Sequence, residues 1–295
     1  GKEESNPIVQ GLQYSLSEDG TYAICNGYNT GANIDRVVEI DAEYNGVPVK
    51  EIAVKAFFRE QDIEKVVMPD TIEVIGEQAF EECEGLNEVN ISNNTINLGK
   101  RAFSFTAIKE ITIPQSVQTI GNFAFWECNN LTKATINCPK AYVYTFYDCP
   151  NLTSVIFGEK VISIDKNSFY NCANIDTIYV TNSVQTIVGG LGNKISGATV
   201  FCESQSKPSG WNTSWVSASA NYIIWDCLNN NKDENGYEYV RVNGIKYSLK
   251  DGQANVALQL KNTSGGLEVA SNIEHKGQNY SVVNINENAF KNCTV

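Results

Sequence analysis

The sequence predicts an α/β solenoid: a stack of coils giving short parallel strands and short helical turns, closed by irregular β-rich capping segments. Three observations predict it. A small residue followed by Phe recurs at Ala56-Phe57, Ala79-Phe80, Ala102-Phe103, Ala124-Phe125, Thr145-Phe146 and Ser168-Phe169, with phenylalanines 23, 23, 22, 21 and 23 residues apart. Six residues after the Phe, an aliphatic residue opens an L-x-x-V-x-I pattern, as in Leu86/Val89/Ile91 and Leu152/Val155/Phe157. Eight and five residues before it lies a second apolar pair, as in Ile72/Ile75 and Val117/Ile120.

The period is too short for stacked helix pairs, and the alternating V-x-I stretch favours a strand, so each unit reads as a leucine-rich repeat. A single coil cannot bury its apolar edge. Neighbours must therefore stack at about the 4.8 Å strand spacing to form one continuous column. The Phe residues are expected to be its core. Gly76, Gly99 and Gly121, four residues before the Phe, are expected to permit the bend into a helical turn. Two units are irregular. Ile108/Ile111/Ile113 comes one residue early in the third, and the unit before Phe146 has lost two residues, carrying Cys138 and Ala141 in place of the paired aliphatics.

The units Ile72 to Ile91 (IEVIGEQAFEECEGLNEVNI) and Val117 to Leu131 (VQTIGNFAFWECNNL) resemble the BspA-like leucine-rich repeat family, and the resemblance covers about residues 47 to 180. The segment from Phe201 to Trp211, followed by Trp215 and Trp225, resembles the closing segment that follows such arrays. The resemblance implies a bacterial, or in some cases protist, cell-surface or secreted protein. Its adhesive members bind host proteins.

A solenoid needs covered ends, because an open coil exposes core and strand edges. The expected organisation is an N-terminal β-rich cap over 1–46 and an array of about six units over 47–180. A degenerate repeat with a Trp-rich closing segment follows over 181–228, and a linker, a duplicated cap and the start of a further repeat over 229–295. Asn45-Gly46 marks a hairpin in the first cap. Gly192 stands where the next spine Phe would be, which terminates the array. The duplication rests on Gly244-Ile245-Lys246-Tyr247-Ser248-Leu249, which repeats Gly11-Leu12-Gln13-Tyr14-Ser15-Leu16 at an offset of 233, and on Phe290, which repeats Phe57 at the same offset. The chain starts at Gly1 rather than Met, as expected of a sequence from which a leader has been removed.

Chemistry is sparse. The single histidine, His275, lies beside an expected hairpin turn with no nucleophile motif near it, and no phosphate-loop, dinucleotide or zincin motif occurs. Carboxylate pairs such as Glu81/Glu82 and Asp233/Glu234 read as solvated turns rather than glycosidase sites. No C-x-x-C pair or calcium loop is present, so no catalytic residue, metal or cofactor is expected. Cys83, Cys128, Cys149, Cys172 and Cys293 each sit three residues after a Phe and should form an inward ladder of reduced thiols. Cys202 and Cys227, flanking the Trp-rich segment, are the candidates for a disulfide. A net charge of -12 disfavours nucleic acid and anionic lipid, and no run of about 18 apolar residues predicts membrane insertion in this segment.

The functional expectation is therefore a non-catalytic binding module at the cell surface or outside the cell. In a strand row alternate side chains leave the core. The candidate partner-binding residues are Lys65/Val67, Glu88/Asn90, Glu110/Thr112, Lys133/Thr135, Ser154/Ile156 and Thr177/Tyr179. The expected partner is a protein: a host matrix or cell-surface protein, or a protein of another microbe. The alternative is a structural spacer, or a carbohydrate-contacting module in which Trp211, Trp215, Trp225 and Tyr222 stack on sugar rather than plug the solenoid end.

Overall fold

In the computed structural model, residues 11–28, 36–195, 197–216, 222–229, 232–233, 235–242, 245–259 and 269–285 are described. Ala289-Phe290, Cys293 and Gly244 lie outside them. Each coil contributes one strand to each of two rows. The first row holds the V-x-I strands: Val37–Glu39, Lys65–Val67 and Glu88–Val89 pair in one parallel sheet. Glu110–Ile113, Lys133–Ile136, Ser154–Phe157, Thr177–Val180, Thr199–Cys202 and Tyr222–Ile224 pair in a second.

The second row runs from the cap strands Leu12–Leu16 and Ala23–Tyr28 through Val47–Ile52, Val74–Ile75 and Asn97–Leu98 to Thr119–Ile120. It resumes as Lys140–Ala141, Ser163–Ile164 and Thr186–Ile187. That interruption falls where the sequence has lost two residues.

The expected helical turns are not helices; among the described residues the fold is a β-solenoid of parallel strands without a helix. The backbone explains the difference. Around Phe80, the amides of Gln78, Phe80 and Glu82 donate to carbonyls of the next coil at Lys100, Ala102 and Ser104, 2.8 to 2.9 Å away. The intervening amides of Ala79, Glu81 and Cys83 donate three residues back within their own coil. Every second amide is thus committed to the neighbouring coil, and the i to i−4 ladder of an α-helix cannot form. The residues two before and two after the Phe are left-handed, as at Gln78 (φ 57°) and Glu82 (φ 60°), and this repeats in each coil from Phe57 to Phe169.

The phenylalanines stack as one column, with ring centroids 5.0 to 5.4 Å apart from Phe57 through Phe169. The backbone repeat sets this spacing, and near-parallel rings so far apart are offset-stacked, an arrangement aromatic pairs favour. Thr145 and Ser168 replace Ala before the Phe without an orphaned hydroxyl, because each bonds the carbonyl three residues back, at 2.9 and 2.8 Å. The three glycines act by close approach rather than by bending: their φ values are not positive. A Cβ on Gly99 would stand 2.4 Å from the Gly76 carbonyl carbon, and one on Gly121 2.5 Å from the Lys100 Cα.

Both ends are covered. Asn45 (φ 52°) and Gly46 (φ 78°) make the expected hairpin turn. At the far end Trp211 and Trp215 are buried, and the Trp211 indole donates to the Val184 carbonyl at 3.0 Å. Leu191 closes the turn column beside Gly192, where a Cβ would meet the Phe169 carbonyl oxygen at 2.3 Å.

Beyond it lies a five-stranded sheet with its own small core around Tyr247. Its pairing reproduces the first cap, bulges included. Tyr14 faces Cys25 after a shift at Gln13/Tyr14, and Tyr247 faces Val256 after a shift at Lys246/Tyr247. Ala23 pairs Val49 and Cys25 pairs Ile52, just as Ala254 pairs Val282 and Val256 pairs Ile285. Lys246, 3% exposed, joins this sheet to the array: its Nζ donates to the Gly197 carbonyl at 2.7 Å and lies 3.2 Å from Asp176.

Candidate functional site

The twelve outward residues of the first row lie on its solvent face, and none is in the core. Lys65 and Glu88 are register partners and form an ion pair of 2.5 Å. Glu110, Lys133, Ser154 and Thr177 form one cross-strand ladder, and Thr112, Thr135, Ile156 and Tyr179 form the adjacent one. Tyr179 is held in place: its hydroxyl donates to Glu203 at 2.9 Å. Burial, and then that carboxylate, push its phenol well above the ordinary range.

The row is not continuous. Glu88–Val89 and Glu110–Ile113 belong to different sheets, so Val67 and Glu88/Asn90 stand on one side of a split and Glu110/Thr112 on the other. The cause is local: Ile108 follows Phe103 by five residues rather than six. On the other side, Ser92 to Thr95 replaces the Pro-led turns of neighbouring coils. Asn94 bonds Ser92 Oγ at 3.1 Å and the Asp70 carbonyl at 2.7 Å. The strands part into an open cleft of about 540 Å³.

Its walls carry Asp70, Asn90, Asn93, Glu110, Thr112 and Lys133. Beneath them Met68, Ile91 and Val89 are almost fully buried, 6 to 8% exposed, so the open surface of the cleft is mainly polar. The two strands lack each other as ladder partners, and an edge of that kind can bond an extended backbone. Asp70 and Asn93 were not among the residues chosen from sequence. The polar run Ser92-Asn93-Asn94-Thr95 in place of a proline turn was the signal available for Asn93.

Of the groups considered for catalysis, Glu234 lies outside the described residues, and Glu81, Glu82, Asp233 and His275 each have a partner. Glu82 pairs with Arg59 at 2.7 Å, while Glu81 accepts from Ser104 Oγ at 3.1 Å. Asp233 accepts from the Tyr239 hydroxyl at 2.7 Å and caps its own turn through the Asn235 and Tyr237 amides. His275 lies 2.8 Å from Glu238 in the second cap. Among the described residues, no group of three or more His, Cys, Asp and Glu is placed to hold a metal ion. Among the described residues no helix is long and apolar enough to cross a membrane. Cys202 and Cys227 are free thiols rather than the disulfide that their flanking positions suggested. Cys202 ends its strand and Cys227 lies in the turn that follows Tyr222–Ile224, its amide on the Cys202 carbonyl at 2.9 Å.

A family model described as the BspA type leucine rich repeat region matches this chain in six copies, over residues 50–175 and 140–191. No curated protein matches. Among solved structures the chain is similar to a leucine-rich repeat protein of T. pallidum, with 25% identity over 65% of this chain and 82% of that one and a TM-score of 0.51. It is similar to a leucine-rich repeat protein of Bacteroides capillosus with 34% identity, over 43% of this chain and 95% of that one, at a TM-score of 0.38. A third, from Bacteroides ovatus, is 18% identical over 74% of this chain and 70% of that one, at a TM-score of 0.43.

Proposed function

Because this chain belongs to the BspA-type leucine-rich repeat family, a family of bacterial surface proteins, we propose that it acts at the cell surface or outside the cell as a binding module without catalysis. Its partner is a protein, a host matrix or cell-surface protein or one of another microbe, and it is recognised through the strand row. The observation that carries this reading is the split between Glu88–Val89 and Glu110–Ile113, whose strands do not pair with each other and which opens a cleft with polar walls. An extended segment of the partner lies there, its backbone bonded to the parted strands. The row is not uniformly polar, since Ile156 stands beside Tyr179, and this favours recognition over a spacer role. Burial takes Trp211 and Trp215 out of reach of a sugar, two of the four candidate rings, while Trp225 and Tyr222 are half-buried.

Binding of the purified chain to arrayed matrix proteins and glycans tests the proposal, beside a Thr112→Arg/Thr135→Arg variant that fills the cleft. Saturable binding to a protein, weakened about tenfold in a variant of unchanged Tm, supports it. Equal binding by the variant moves recognition off the cleft. Binding to no array member returns the spacer reading, and binding to glycans alone the carbohydrate one.

A further inference from the structure

A second exposed feature lies on the turn column, away from the strand row. Half-buried Phe105, Phe123, Trp126, Tyr144, Tyr147 and Tyr170 form one contiguous ridge across four successive coils. Phe123 stacks on Tyr144 (5.6 Å, 2°) and Tyr147 on Tyr170 (5.1 Å, 11°). Trp126 meets Phe105 at 4.7 Å and Tyr147 at 6.4 Å by its edge, with the Arg101 guanidinium 4.9 Å over its ring.

The coil does not require these aromatics, and the repeat supplies the comparison. Two residues before the spine Phe, the other coils carry Lys55, Gln78, Arg101 and Asn167 where these carry Phe123 and Tyr144. One residue after it, Glu81 and Ser104 serve in two coils, whereas Trp126, Tyr147 and Tyr170 stand in three successive ones and Phe58 stands alone in the first. Moreover, Phe105 (φ 57°), Phe123 (φ 63°) and Tyr144 (φ 55°) are left-handed, a conformation that bulky side chains disfavour and asparagine tolerates. Trp126 Nε1 is buried without a hydrogen-bond partner, an unmet demand that the isolated chain carries. The left-handed φ itself is common to all the coils, Lys55, Gln78 and Arg101 included, so it is the choice of half-buried aromatic side chains where polar ones serve elsewhere that points beyond stability.

We infer that this ridge is a second docking surface, for a protein segment that alternates apolar residues with Lys or Arg. The rings of Phe123/Tyr144 and Tyr147/Tyr170 are stacked from coil to coil, so their inner faces are occupied, whereas a sugar needs an open face. Tyrosine and tryptophan edges with hydroxyls are the chemistry of protein hot spots. Glu127 and Asp148 flank the ridge two residues beyond the spine Phe, in a chain of net charge -12, and a basic partner complements them. The Tyr147 phenol feels this surrounding: desolvation first, then Asp148 and Glu127 among its neighbours, raise its pKa. The inference does not depend on the strand-row cleft, which faces a different side of the coil.

The test uses residues that the repeat itself places at these positions. One variant carries Phe123→Asn/Tyr144→Asn, a second Trp126→Ser/Tyr147→Ser, and a control Lys55→Asn/Gln78→Asn. The probe is a fluorescein-labelled synthetic peptide alternating Arg with Leu and Phe, read by anisotropy, beside the same peptide with Glu for Arg. The expected result is saturable binding of the basic peptide only, weakened about tenfold or more in both ridge variants and unchanged in the control, with Tm moving by less than about 3 °C. Three results overturn it. They are no binding of the basic peptide by the unaltered chain, binding that the ridge variants retain, and a collapse of Tm in both variants, which makes the ridge packing. Concentration-dependent dimerisation abolished by the same substitutions would assign the ridge to a second copy instead and also overturn the stated partner.

Discussion

The thiol of Cys149 donates to the carbonyl of Phe125, one coil earlier, at 3.1 Å. The relationship recurs from Cys83 to Phe57 (2.9 Å), Cys128 to Phe103 (3.2 Å) and Cys172 to Phe146 (3.0 Å). A thiol three residues after the Phe is therefore both a small core residue and a donor tying its coil to the spine. Cys149→Ala removes the donor and leaves a void, and should destabilise the chain by about 1–3 kcal/mol. An unchanged denaturation midpoint in urea would reduce these cysteines to filler.

Thiol reactivity should follow burial. Burial pushes the Cys83 thiol up to about 12, and the Cys25 and Cys138 thiols up to about 11. Cys227 is half-exposed, and among the described thiols it should react first with iodoacetamide at about pH 8. Peptide mass spectrometry reads the order. Cys83 reacting as fast as Cys227 would mean that the coils open under native conditions.

Gly99→Ala should be costly for steric reasons alone, because its Cβ would enter the backbone of Gly76 and Glu77 at 2.4 Å. The expected loss is about 1–3 kcal/mol or more. Gly11→Ala, with nothing within 4 Å, should change stability by less than about 0.5 kcal/mol. Thermal melts of the two compare them directly, and equal Tm values would refute the stacking account of the glycine column.

Lys246→Ala should loosen the second cap. The buried ammonium is matched by Asp176 at 3.2 Å and by the Gly197 carbonyl, and removing one member of a buried pair costs about 3–5 kcal/mol. Limited proteolysis should then cut faster between the array and the cap. Unaltered cleavage kinetics would mean that the cap is held by other contacts.

The second cap should also weaken in acid. Burial alone would raise the pKa of Glu238, but hydrogen bonds from Lys276 and His275 outweigh it and hold the carboxyl below its ordinary value. A depressed folded pKa stabilises above the unfolded value, and that contribution is lost as pH falls through the folded one. Hydrogen exchange in the strand Glu238–Val242 should therefore rise below the usual carboxylate range. Glu238→Gln should flatten that rise, and an identical pH profile in the variant would count against the assignment.

The sequence by itself determined the coil, the Phe spine, the thiol ladder and the outward alternation of the strand row. All of these follow from fixed local offsets, which one repeat states and the next confirms. The helical turn was misread because nothing in Glu77 to Cys83 reveals that every second amide will bond the next coil. The tertiary structure alone decided where the strand row parts, how Lys246 ties the second cap to Asp176, and that Phe105, Phe123 and Tyr170 share one ridge. Those features depend on distances between residues twenty or more positions apart. A one-residue deletion moves such distances by ångströms and leaves the local pattern almost unchanged.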